Sequence, residues 1–203
     1  EYERHIRDRR CDAFVCKALV GAPCQSACPL GTEAWRYVAL IEKGDYKGAY
    51  QVIREANPFP SVCARVCDHK CESRCRLGAT GQDPIAIRAL KRFVTDTVSP
   101  DVFRPERADI DRSERVAVVG AGPAGLTAAN ALALDGFPVT VFDANDRPGG
   151  MLTIGIPSYR LPRDVLDREI TALLDGRIEL RLETALGKAF HLDVETLFVS
   201  RSA

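Results

Sequence analysis

The stretch from Arg115 to Met151 limits the possible folds of this chain more than any other. It opens on Arg115-Val116-Ala117-Val118-Val119, a β-branched apolar run of the kind that fills a buried parallel strand. Gly120-Ala121-Gly122-Pro123-Ala124-Gly125 follows at once, and a helix from Leu126 to Leu134 then ends at Gly136. A second apolar strand, Val139-Thr140-Val141-Phe142, stops at Asp143. A glycine-rich turn alone signals only a bend. Strand, glycine turn, helix, strand and acid in this order make a dinucleotide-binding unit.

Each residue of that unit has a physical task. Gly120 permits the tight turn, Gly122 lets backbone approach a pyrophosphate, and Gly125 lets the helix pack closely on the strand. Pro123 and Ala124 join the three glycines in holding the pyrophosphate, and the helix that follows turns its unpaired N–H groups and positive dipole end to the phosphates. Asp143, 23 residues after Gly120, stands where a carboxylate accepts bonds from an adenosine ribose. Gly149, Gly150 and Met151 come soon after, and the paired glycine can bring backbone against the far side of a long, bent ligand.

The remaining chain divides by composition. Its 203 residues suit one or two domains, and 46% hydrophobic content suffices for a core. Zero net charge gives no reason to expect nucleic acid or an anionic membrane as partner. No apolar run approaches the length of a transmembrane helix, no signal-peptide pattern is visible, and the chain begins at Glu1, as if cut from a longer one. All eight cysteines lie at or before Cys75. Residues 1–98 therefore read as one domain, the charged stretch 99–113 with two prolines as a linker, and 114–203 as the nucleotide fold.

Within the first domain, Thr32 is expected to cap a helix with Ala34, Val38 and Ile41 on its inner face, ending at Gly44. Asp45 is expected to cap a second, with Tyr46, Ala49, Tyr50 and Ile53 in an i, i+3, i+4, i+7 stripe, ending at Asn57-Pro58. A third, from about Ile85 to Thr97, turns Ile87, Leu90 and Val94 inward.

The cysteines fall into two groups: Cys11, Cys16, Cys24, Cys28, and then Cys63, Cys67, Cys71, Cys75. Disulfides need an oxidising compartment, which a nucleotide-binding fold of intracellular type argues against. Zinc prefers close C-x2-C pairs, and none occurs. Cys24-Gln25-Ser26-Ala27-Cys28-Pro29 has the C-x3-C-P ending of a ferredoxin run, in which the last cysteine serves the other cluster. Two 4Fe–4S clusters follow, one on Cys11, Cys16, Cys24 and Cys75, the other on Cys28, Cys63, Cys67 and Cys71. The wide upstream spacings depart from the ferredoxin pattern, so zinc, disulfides and buried thiols stay open as alternatives.

Several motifs together resemble the small subunit of glutamate synthase, the N-terminal region of dihydropyrimidine dehydrogenase and the flavin subunits of electron-bifurcating NAD(P)H complexes. They are Ala22 to Pro29, Asn57-Pro58-Phe59-Pro60, Cys63 to Cys75, Pro84 to Arg88, Gly120 to Gly125, Arg147 to Met151 and Gly155-Ile156-Pro157. The resemblance implies a multi-domain protein: an α-helical domain with two 4Fe–4S clusters, then the first part of an α/β Rossmann-like FAD-binding domain. It implies electron flow from NAD(P)H through FAD and clusters to a partner subunit or domain, with NAD(P)H bound only in the full-length protein. Two departures are visible. Relatives often use a Gln or Glu as the odd ligand of the second cluster, where this chain has Lys91, and an ammonium cannot ligate iron. Cys63 is then the natural fourth ligand. The second is at the C-terminus, where no second G-x-G-x-x-G follows and Leu197 to Ala203 reads as a strand without the expected glycine turn, as in a truncated chain.

The expected function is therefore that of an NAD(P)H-dependent FAD and iron–sulfur oxidoreductase component, with no residue assigned as general acid, nucleophile or triad member. An alternative is a relay or docking subunit without turnover of its own, and a third is a zinc-binding adaptor fused to a nucleotide sensor. Oxygen-sensitive clusters and the missing export signal point to the cytoplasm.

Overall fold

The computed structural model describes residues 21–109, 112–174 and 178–187. Contacts divide the chain into Glu1–Arg104 and Pro105–Ala203, so the division falls inside the stretch 99–113.

In the first unit the described helices are α1 (Pro23–Ser26), α2 (Ala34–Glu42), α3 (Tyr46–Ala56), α4 (Pro60–Val66), α5 (Lys70–Ser73), α6 (Arg76–Ala79) and α7 (Ile87–Thr97). The Asp45 carboxylate accepts the Gly48 amide at 3.0 Å and starts α3. Its stripe then buries Ala49, Tyr50 and Ile53, with Tyr46 partly covered. Against it lie Tyr37 and Leu40 of α2 and Ile87 and Val94 of α7, so the long helices α2, α3 and α7 share one core. Cys24 and Cys71 pack on the edge of this core.

Two expectations need correction. Thr32 does not cap α2, where Glu33 holds the capping position without a side-chain bond. Thr32 is instead buried, with its hydroxyl 3.7 Å from Cys28 Sγ. On α7 the inward residue is Lys91 rather than Leu90, which stays half-buried. Leu90 keeps the helical period but sits one position off the contact face. The four short helices α1, α4, α5 and α6 are too brief to show a period in sequence.

In the second unit β1 (Val116–Val119), β2 (Val139–Phe142) and β3 (Ile178–Arg181) form a parallel sheet in the order β1-β2-β3, with Val116 opposite Val139 and Val139 opposite Ile178. Helix α8 (Pro123–Leu134) makes the crossover from β1 to β2. Helices α9 (Met151–Ile154) and α10 (Arg163–Leu173) follow before β3. The core lies between sheet and helices, with Val141, Leu126, Ala129, Leu166 and Leu173 all buried. The segment after Pro105 runs along the end of α8, where the Ala108 and Arg112 amides donate to Leu134 O and Gly136 O. The strand read over Leu197 to Ala203 lies outside the described residues.

Candidate functional site

Helix α8 begins at Gly122 with Pro123 as its first residue and no side-chain cap, which leaves its opening amides for a ligand. Gly120 has φ +102, and a methyl group added there or at Gly122 would meet nothing within 4 Å. Both glycines thus border open space at the mouth of the turn. Gly125 differs: a Cβ there would lie 1.9 Å from Gly120 O, so backbone meets backbone.

The second glycine pair is laced to the first. Gly149 donates to Ala121 O at 2.7 Å, and Gly150, at φ +51, lies so near Gly122 that a Cβ would reach its Cα at 2.9 Å. Two loops separated in sequence by α8 and β2 therefore form one glycine-lined floor. Arg163 secures the far side by donating to Leu152 O at 2.9 Å and Ile156 O at 2.8 Å. Met151 and Ile154 are left exposed beside it. Sequence reading missed Arg163, because a cation that holds two carbonyls leaves no motif.

Asp143 is 7% exposed. Its Oδ2 accepts the Ala121 amide at 2.6 Å, and its Oδ1 accepts the Asn145 amide and side-chain nitrogen, each at 2.8 Å. Burial pushes this carboxyl up, but the donors from Asn145 and Ala121 outweigh it and hold it below the usual aspartate range. Stability from Asp143 is thus complete above the unfolded pKa of about 4 and is lost as pH falls through the lower folded value. Asp143→Asn should cost about 2 kcal/mol at pH 7. The deficit should shrink in acid, which urea unfolding followed from pH 7 to pH 3 would measure.

In the helical unit Cys24, Cys28, Cys63, Cys67, Cys71 and Cys75 are all half-buried and in no disulfide, while Cys11 and Cys16 lie outside the described residues. Among the described residues no three His, Cys, Asp or Glu side chains are grouped as the ligands of one metal ion. Cys24 and Cys75 line the same cavity of about 360 Å3, whose other walls include Trp35, Val38, Leu77 and Ile87. The loop of Cys67 and Cys71 is held by α7: Arg88 donates from Nη1 to Cys67 O at 2.8 Å, and its amide donates to Glu72 Oε1 at 2.8 Å. The His69 amide, in left-handed backbone, donates to Cys67 Sγ at 3.3 Å. Cys63 has another neighbour and donates to Asn57 Oδ1 at 3.7 Å.

The thiols differ in character. Burial raises Cys24 and lifts Cys71 to about 11, although Lys91 pulls Cys71 the other way. Cys28 is also pushed up by burial but ends below its usual value, because Thr32, the Leu30 amide and Lys91 favour the thiolate. The Ile85 amide lowers Cys75.

Residues 3–101 match the family model described as dihydropyrimidine dehydrogenase domain II, 4Fe-4S cluster, and residues 118–182 match the NAD(P)-binding Rossmann-like domain. Residues 3–101 belong to the dihydropyrimidine dehydrogenase domain II iron–sulfur family, joined in this chain to a Rossmann-like domain. It is 38% identical over 199 residues to the NADP(+)-dependent formate dehydrogenase subunit beta of Moorella thermoacetica, covering 87% of this chain and 28% of that one. It is 37% identical over 188 residues to the NAD-dependent dihydropyrimidine dehydrogenase subunit PreT of Escherichia coli, covering 90% and 44%. The NADPH-Fe(3+) oxidoreductase subunit beta of Geobacter sulfurreducens is 37% identical over 175 residues, covering 85% and 26%. The chain thus spans less than half the length of these relatives. Membership makes the helical unit an iron–sulfur domain, and the zinc and disulfide readings lapse. Thiols from three short helices and the turns beside them are the soft donors such clusters take. Among the described residues no helix is long and apolar enough to cross a membrane.

Proposed function

We propose that this chain is the electron-transferring part of an NAD(P)H-dependent flavoprotein oxidoreductase. Two 4Fe–4S clusters occupy the helical unit and FAD lies on the glycine floor of the second. The observation that carries the reading is the joining, in one chain, of a 4Fe-4S domain to a complete strand, glycine turn, helix and acid. FAD, when bound, supplies the change from two-electron to one-electron transfer.

The chain's own residues bind and insulate. Gly120 and Gly122 admit a pyrophosphate, and the amides of Ala124 and Gly125 together with the positive end of α8 favour its charge. Gly149, Gly150 and Met151 form the other wall. Asp143 fixes the Ala121 amide while the lone pair left on its Oδ2 serves a ribose hydroxyl. Cys11, Cys16, Cys24 and Cys75 hold one cluster, a grouping favoured by the cavity that Cys24 and Cys75 share. Cys28, Cys63, Cys67 and Cys71 hold the other. Electrons pass onward to other oxidoreductase subunits or domains.

The second reading is a relay, with no nicotinamide site in the working protein. Anaerobic purification of the full-length protein, with iron, sulfide and flavin counted and NADH or NADPH added, separates the readings. A brown protein bleached by either nucleotide fits the proposal. A brown protein that only dithionite bleaches fits the relay, and a protein free of iron and flavin refutes both.

A further inference from the structure

Lys91 stands in the inward stripe of α7 between Ile87 and Val94 and is 8% exposed. Its ammonium has neither a carboxylate nor a hydrogen-bond acceptor among the described residues, and its one contact is the Tyr37 ring, 6.0 Å from Nζ to the centroid. Other buried cations of the unit are answered. Arg36 meets Glu33 at 3.2 Å and Glu55 at 3.3 Å. Arg65 meets Asp96. Burying an ammonium without an anion is costly, so natural proteins keep one only where something repays it. The nearby acid, Glu72, is already engaged by the Arg88 amide through Oε1 and by His69 through Oε2, at 3.4 Å. Cys71 packs on the same core that Ile87 and Val94 of α7 enter, and the charge of Lys91 favours the thiolates of Cys71 and Cys28.

We propose that Lys91 is a fixed counter-charge for the 4Fe–4S cluster on Cys28, Cys63, Cys67 and Cys71, raising its reduction potential without ligating iron. The inference rests on the cluster reading above. An ammonium has three donors and no lone pair, so it cannot replace a ligand. It can stabilise the form with more negative charge. Reduction of this cluster adds one electron and breaks no iron–sulfur bond, so the charge beside Lys91 grows by one unit. A buried cation close by favours that reduced form, because the low dielectric screens it little. Arg88, one turn earlier on the same helix, holds the Cys67 carbonyl, so α7 supplies both the brace and the charge.

The test compares the anaerobically reconstituted full chain with its Lys91→Met and Lys91→Arg variants. Iron is counted and the two cluster potentials are read by EPR-monitored titration with dithionite. Lys91→Met should lower one potential and leave the other unchanged, and Lys91→Arg should keep both near the wild type. If Lys91→Met loads one cluster while Lys91→Arg loads two, a positive charge is required there and the proposal also stands. Unchanged potentials in fully loaded Lys91→Met overturn it, as does equal loss of iron in both variants. Absence of iron from the wild-type protein refutes the cluster reading itself, a result distinct from these.

Discussion

Gly125→Ala should empty the dinucleotide site and destabilise the second unit, whereas Gly122→Ala should empty the site and leave the fold nearly untouched. The contrast follows from what each new methyl group meets. At Gly125 it would stand 1.9 Å from Gly120 O and 3.3 Å from Val118 Cγ1. The first neighbour is backbone and cannot change rotamer, so the turn itself must open. Gly120 is also tied through its amide to Phe142 O at 2.7 Å, so β1 and β2 resist the movement. A loss of about 3 kcal/mol, or roughly a hundredfold or more in flavin affinity, is expected. At Gly122 the backbone already lies in an extended region that alanine adopts freely, and the methyl enters open space. Its fold penalty should be under about 1 kcal/mol, that of alanine in place of glycine at a helix N-cap. Yet that space is where backbone must approach a phosphate. Flavin content per chain and thermal unfolding of the two variants decide the matter. If Gly122→Ala retains flavin at the wild-type level, the pyrophosphate does not lie there.

Much of the second unit was legible because the glycine turn is a local device: its strand, helix and acid are read within thirty residues. The lacing of Gly149 to Ala121 was not legible, since it joins loops on either side of β2 and depends on how the sheet sets their spacing. Helix α3 was legible from its Asp45 cap and apolar stripe. Thr32 and Leu90 were misread for a shared reason. Local pattern assigns a threonine to a cap and a leucine to the core, but tertiary packing buried Thr32 beside Cys28 and turned Lys91 inward in place of Leu90. Consistency between local pattern and fold commonly fails at a functional site, and the cysteine end of this unit is where it failed.

Replacing single cysteines by serine should remove iron in halves. With two 4Fe–4S clusters, the loaded chain carries about eight irons, and loss of one cluster leaves about four. Cys71→Ser and Cys28→Ser should both abolish the cluster whose potential answers to Lys91, while Cys24→Ser and Cys75→Ser should abolish the other. The pairing of Cys24 with Cys75 rests on the cavity they share, and that of Cys28 with Cys71 on the charge both feel from Lys91. Cys63 is the deciding residue. Its thiol donates to the buried Asn57, whose Oδ1 also takes the Phe59 amide at 3.0 Å, so in this structure it serves the Asn57-Pro58 turn that opens α4. A free thiol there needs only a weak donor and acceptor, and serine would replace it at little cost. A ligand is different, because a serine hydroxyl is a hard, weakly acidic donor that iron–sulfur centres hold poorly. With Lys91 unable to bind iron, the second cluster lacks a fourth protein ligand unless Cys63 turns toward it. Cys63→Ser should therefore fall to about four irons, in step with Cys71→Ser. Retention of all iron in Cys63→Ser, with only the turn at Asn57 loosened, would assign Cys63 to the fold and leave one iron of that cluster open to an external ligand.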